Sequence, residues 1–149
     1  MAFNEGWNLS VRITLLPRDT NQHGTIFGGV ILSHIDIAGA IEAKRFCEQE
    51  VVTVAMDKVV FEQPVFVGDL VSFYTRIISS GRTSITVEVK VTTNRDRERR
   101  SSVHVTNALV TYVAINAERR PEPVRVRTWE EDPPAFAPDY LESRLKIGD

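Results

Sequence analysis

Apolar residues recur at every second position over residues 9–15 (Leu9, Val11, Ile13, Leu15), and Pro17 follows. That period predicts a strand with one buried face. Residues 18–29 are rich in Asp, Thr, Asn and Gly and read as a loop, closing on Phe27-Gly28-Gly29. Over residues 28–45 the spacing changes. Val30, Ile31, Leu32, Ile35, Ile37, Ala38, Ala40, Ile41 and Ala43 cover nearly every side of a helix. A helix apolar all round is a buried one. Glu42, Lys44 and Arg45 mark its expected emergence into solvent.

Four further strands are predicted, at 51–61, at 65–78 with a bend at Gly68-Asp69, at 82–93 and at 103–115. Ser79-Ser80-Gly81 reads as a turn, and residues 95–100 as a mixed-charge hairpin loop. After Ile115 the alternation stops, and five of the seven prolines lie between Pro121 and Pro138. This division gives a folded domain over 8–123 and a Pro-rich tail over 124–149. The tail is expected to be extended or disordered, or packed on a neighbour through Trp129, Phe136 and Tyr140. One strand, one buried helix and four hairpin-linked strands make an α+β chain. Its simplest packing is an antiparallel sheet curled around the helix. Such a sheet has edges, and edges invite pairing with a second copy.

A chain of 149 residues suits one domain. Eighteen basic against twenty acidic residues leave a formal charge of -2, without the basic excess that a duplex nucleic-acid partner calls for. A single cysteine, Cys47, excludes an internal disulfide and a cysteine-rich zinc site. His34 and His104 lack partners at metal-ligand spacing, so no metal is assigned. No apolar run approaches the roughly 20 residues that span a bilayer, and the first residues do not resemble a secretory signal. A cytoplasmic protein is expected, with no membrane insertion.

Asp36 is the most informative residue. Its neighbours three and four positions away along the helix are Leu32, Ser33, Gly39 and Ala40, none of them cationic. A carboxylate there loses hydration without a local partner. Two readings stand side by side: a desolvated catalytic carboxylate, or one paired with an Arg or Lys from a distant strand. The Gly24–Gly29 segment lets a ligand approach backbone amides at the positive end of a helix, which suits an oxyanion, or it simply packs loop on helix. Asn21 and His23 precede it. Each can orient a reacting group or close the loop. Gly81-Arg82-Thr83-Ser84 sets a cation and two hydroxyls beside a glycine, which suits a phosphate or an ordinary turn. Cys47 has no histidine placed to activate it.

Together these pieces resemble the hot-dog-fold acyl-CoA thioesterases of the YciA type. The matching residues are Asn21-Gln22-His23-Gly24-Thr25-Ile26-Phe27-Gly28-Gly29, then Asp36-Ile37-Ala38-Gly39-Ala40-Ile41 and Val51-Val52-Thr53-Val54. Phe61-Glu62-Gln63-Pro64-Val65, Val67-Gly68-Asp69, Gly81-Arg82-Thr83-Ser84 and Tyr112-Val113-Ala114 complete them. The resemblance implies a five-stranded antiparallel sheet around one long helix, paired edge to edge as a dimer and assembled further, often as a trimer of dimers. It implies hydrolysis of acyl-CoA to a free acid and CoA, with no cofactor beyond the CoA of the substrate.

Carried over by position, the resemblance makes Asp36 the catalytic carboxylate, Asn21 the loop asparagine and Gly28 the oxyanion-binding amide. It implies substrate contacts from His23, Gly24, Phe27 and Gly29, and from Val54 beside the acyl-pantetheine channel. Gly81, Arg82, Thr83 and Ser84 would meet the CoA moiety. A hot-dog hydratase is disfavoured, because Gly24 stands where its histidine would fall after Asp19-Thr20-Asn21. A non-catalytic acyl-CoA-binding module would carry an output domain, and the stretch before Leu9 is too short to form one.

Overall fold

The computed structural model describes residues 6–95 and 101–128. In chain order these form β1 (Asn8–Thr14), a 3-10 turn (Pro17–Asp19), α1 (Gly28–Phe46), β2 (Glu50–Asp57), β3 (Leu70–Ser80), β4 (Ser84–Asn94) and β5 (Val103–Ile115). The strands make one antiparallel sheet in the order β1-β3-β4-β5-β2, and α1 packs against all five of them. This is the hot-dog arrangement expected from the sequence.

Strict alternation drives the packing. Ile85, Val87, Val89 and Val91 on β4 are fully buried, and Val105, Val110 and Tyr112 join them from β5. They meet Ile31, Ile35 and Ala38 of α1 in one apolar core. The pairing slips by one residue at Ser10, Val54, Ile78 and Val105. Bulges of this kind bend a strand and increase its twist, which lets a sheet wrap a helix.

Several strand boundaries differ from the sequence expectation. β2 ends at Asp57, because Lys58 takes a left-handed backbone (φ 59°) and turns the chain away before the apolar Val59-Val60-Phe61. β3 begins only at Leu70: Gly68 is left-handed (φ 88°), and the Asp69 carboxylate accepts the Phe66 amide at 2.9 Å, so 66–69 is a turn. Ser79 and Ser80 extend β3, and the hairpin turns at 81–83. Glu42 does not emerge into solvent. It is 6% exposed, and takes hydrogen bonds from Asn8 (2.9 Å), Thr75 (3.2 Å) and Arg45 (2.7 Å). A buried carboxylate is tolerable when its oxygens are satisfied in this way.

Beyond β5 the chain turns back. Glu122 donates its amide to Ala114 (3.0 Å), Val124 to Arg82 (2.8 Å) and Arg127 to Phe46 (2.9 Å). Residues 122–127 are thus hydrogen-bonded along the domain. Trp129, Phe136 and Tyr140 lie outside the described residues. Among the described residues no helix is long and apolar enough to cross a membrane.

Candidate active site

The neighbours of Asp36 come from the sheet, not from its own helix. Thr53 on the edge strand β2 donates its hydroxyl to Asp36 Oδ1 at 2.6 Å. Tyr112 on β5 donates to the main-chain oxygen of Asp36 at 2.7 Å, with Oδ1 3.4 Å away. Thr53 and Tyr112 are direct cross-strand partners, so the sheet presents both hydroxyls to one point on the helix. Among the described residues no cation pairs with this half-buried carboxylate. Burial pushes the Tyr112 hydroxyl far above its usual titration range, and the Asp36 charge and hydrogen bond push it further. Tyr112 therefore stays a proton donor at any physiological pH.

Gly39 makes this contact possible. A Cβ there would meet the Tyr112 hydroxyl oxygen at 2.2 Å. The glycine removes that obstacle, and the phenol lies across the helix one turn after Asp36. Thr53, Tyr112 and Gly39 carry no local signal of chemistry in the sequence. Periodicity reports which face a residue is on, not which distant residue it meets.

The start of α1 has no side-chain cap and no acidic residue in its first turn. Its leading amides thus lack intrahelical partners and carry the positive end of the helix dipole. Gly28 is the first helical residue, and the Phe61 ring lies 3.5 Å from where its Cβ would stand. Beside it opens a cavity of about 270 Å3, lined by Ile26, Ile31, Phe61, Pro64 and Val65 with Glu62 and Gln63. Apolar walls with amide donors at one end suit an acyl group whose carbonyl needs hydrogen bonds. Phe27 is 58% exposed and packs its ring over Gly29, where a Cβ would be 2.5 Å from it.

The other candidate residues fall into two places. Asn21 closes its own loop: its Oδ1 accepts the His23 amide at 2.9 Å and its Nδ2 donates to Thr25 at 2.9 Å. His23 and Gly24 (φ 80°) are exposed at the loop tip. The 81–84 turn lies at the far side of β5. Gly81 donates its amide to the Ser84 carbonyl at 2.8 Å, and Thr83 and Arg82 accept from Ala114 and Val124. Ser84 pairs with Val113, and Val113 with Val52, so the turn and β2 stand two strand spacings apart, about 10 Å. Val54 is the bulged residue of β2, 55% exposed on the sheet edge. Within one chain, Asp36 and Gly28 are eight helical residues apart, about 12 Å of rise.

Comparison with known proteins places the chain in a family. The Thioesterase superfamily model matches residues 23–99. The acyl-CoA thioester hydrolase YciA of Salmonella typhimurium is 38% identical over 121 residues, covering 80% of this chain and 91% of that protein. Among solved structures, the hexameric hotdog fold thioesterase Cj0915 of Campylobacter jejuni is 48% identical, covering 78% of this chain and 90% of that one at a TM-score of 0.74. The hexameric thioesterase y2039 of Yersinia pestis is 38% identical, covering 83% and 99% at a TM-score of 0.76. The shared fold and the agreement in sequence make this chain a member of the hot-dog acyl-CoA thioesterase family, of the YciA type.

Proposed function

We propose that this acyl-CoA thioesterase works with Asp36 as the activating carboxylate and the Gly28 amide as the oxyanion donor, in a site shared between two chains. One observation carries the reading: a carboxylate on the central helix, held by the Thr53 hydroxyl at 2.6 Å and neutralised by no cation among the described residues. Such a group is free to take a proton from water or to attack the thioester carbonyl itself.

In the first route, Asp36 removes a proton from water as the water oxygen attacks the carbonyl carbon. The C=O electron pair moves onto oxygen, which the Gly28 amide and the helix end stabilise. Collapse expels CoA thiolate, which takes up the proton, and leaves the free acid. In the second route Asp36 forms an anhydride and releases CoA, and water then cleaves the anhydride. Either route needs water alone as co-substrate. Thr53 orients Asp36 through its Oδ1.

The separation of about 12 Å between Asp36 and Gly28 along one helix favours a shared site. One carbonyl cannot meet both groups of the same chain. Pairing of the open β2 edge with a second copy brings the two helices side by side, with Asn21 arriving from the partner to orient water or carbonyl. The hexameric relatives support a further assembly as a trimer of such dimers. Gly81, Arg82, Thr83 and Ser84 would hold the CoA phosphates, and Val54, with Phe27, Gly29, His23 and Gly24, would line the acyl-pantetheine path. The cytoplasm, where acyl-CoA is made and used, is the proposed location.

The test is CoA release from acyl-CoAs of graded length, followed with a thiol reagent. Turnover by wild type and its loss in Asp36→Asn are expected. Equal turnover by both would remove Asp36 from the mechanism.

A further inference from the structure

The cavity at Gly28 has an outer wall without helix or strand of its own. Phe61, Glu62, Pro64 and Val65 supply it, between β2 and β3. Backbone bonds fix this wall at two points: the Glu62 amide to Val105 and the Ile26 amide to Val65, each at 2.8 Å. Side chains add two more attachments: His104 on β5 meets Glu62 at 2.9 Å, and Arg95 reaches across from the end of β4. Arg95 donates through Nε to Asp69 Oδ2 at 3.0 Å and through a terminal nitrogen to the Pro64 carbonyl. Its guanidinium also lies over the Phe66 ring, 4.7 Å from the centroid.

Asp69 is 5% exposed, and its Oδ2 also accepts the Phe66 amide at 2.9 Å. A carboxylate so enclosed depends on its cation. One guanidinium thus ties three positions of the 64–69 loop to β4. A planar fork that bonds in two directions while stacking on a ring is a task for arginine; a lysine ammonium is a point charge on a flexible stem. The sequence reads Arg95 as part of a mixed-charge hairpin loop; its side chain, 31% exposed, lies against the 64–69 loop.

We propose that Arg95 is a positioning residue for the cavity wall, clamping the 64–69 loop so that the wall keeps a fixed distance from Gly28 and thereby limits which acyl groups fit. This rests on the acyl-CoA reading above. Loss of the clamp leaves Asp69 without its cation among the described residues and frees Pro64, whose neighbour Val65 is bonded to the strand-like approach of α1 at Ile26. The fit of the acyl group then suffers while the carboxylate chemistry at Asp36 remains.

The experiment compares wild type, Arg95→Lys and Arg95→Ala on a series of straight-chain acyl-CoAs, with amide hydrogen exchange read over 61–69. For Arg95→Ala the expected result is a KM raised about tenfold on the best substrate with kcat little changed. A flatter chain-length profile and faster exchange at Phe66 should accompany it. Arg95→Lys should lie between, because it keeps the charge opposite Asp69 and loses the fork. Asp69→Asn, which keeps an acceptor for the Phe66 amide, should reproduce the Arg95→Ala profile and serves if that variant does not fold. Wild-type exchange in Arg95→Ala, or faster exchange with an unchanged KM and profile, overturns the proposal. If wild type cleaves no acyl-CoA, the functional reading falls, and with it the acyl role of the wall, whereas unchanged exchange in a cleaving enzyme removes only the clamp.

Discussion

Gly39 and Tyr112 are matched to each other: a Cβ on the glycine would stand 2.2 Å from the phenol oxygen, and that oxygen bonds the main chain of Asp36. In an exposed helix Gly→Ala gains about 1 kcal/mol. Here overpacking, which costs about 1–3 kcal/mol or more, should win. Gly39→Ala should lower the denaturation midpoint and turnover together. Tyr112→Phe removes the obstructing oxygen, so Gly39→Ala should cost less in that background. Equal costs in both backgrounds would show that the phenol oxygen is not what the glycine accommodates.

Thr53 should act on the chemical step. Thr53→Val keeps the shape and deletes the donor at 2.6 Å from Asp36 Oδ1. A misaligned catalytic group costs on the order of tenfold to a hundredfold. We expect that loss in kcat with KM little changed, and substantial recovery in Thr53→Ser. Steady-state kinetics of the three proteins decide it.

Asp36→Ala and Asp36→Asn should lower turnover more than about 100-fold while leaving the assembly intact by light scattering. The side chain is half-buried, and the core behind it is formed by Ile35 and Ala38, so little packing is lost.

Gly28→Pro tests the oxyanion amide without adding bulk where there is none to spare. Proline is favoured at the first helical position, and it deletes the N–H. Removing one such donor costs about 100- to 1000-fold in kcat. Mixing subunits extends the test. Gly28→Pro and Asp36→Asn chains are each inactive alone, but a hybrid dimer regains one intact site if the two groups come from different chains. No recovery in a verified hybrid would place both groups in one chain.

His104 gives stability a pH dependence. Its affinity for protons is raised by the hydrogen bond to Asn107 and by Glu62, 2.9 Å away, against opposing desolvation and the charge of Lys90. A group whose folded pKa exceeds its unfolded value stabilises fully below the unfolded value, near 6.5, and this is lost as pH rises through the folded value. The effect is small because the imidazole is 40% and the Glu62 side chain 61% exposed. Melting temperatures between pH 5 and 8 should show a decline that His104→Gln abolishes.

The sequence carries the elements whose side chains alternate without interruption. β5 matches its expected range, and α1 extends it by one residue. It misleads where apolar residues do not serve a strand. Val59-Val60-Phe61 and Val65-Phe66-Val67 look like strand but follow Lys58 and precede Gly68, whose left-handed backbones break the ladder. Asp36 stands out because an acidic residue in an apolar helix is locally inconsistent. Its partners do not, because Thr53 and Tyr112 are 17 and 76 residues away. The residues around Asn21 leave it open between a group that orients a reactant and a loop closer, with the resemblance adding the first; within the single chain its bonds lie inside 21–25. Glu42 misleads in the opposite sense, since two groups that bond it, Asn8 and Thr75, come from β1 and β3 rather than from its own helix.

The position of β2 has a consequence for biosynthesis. This strand is made early, but its partner among the described residues is β5, about sixty positions later. Loop closure over such a span must precede the contacts that reward it, which slows folding. Until residue 112 leaves the ribosome, Asp36 has no phenol and Thr53 no neighbouring strand. A nascent chain can form α1 and the β3–β4 hairpin, but the surroundings of Asp36 are completed by β5, which supplies Tyr112 and pairs with the strand that carries Thr53.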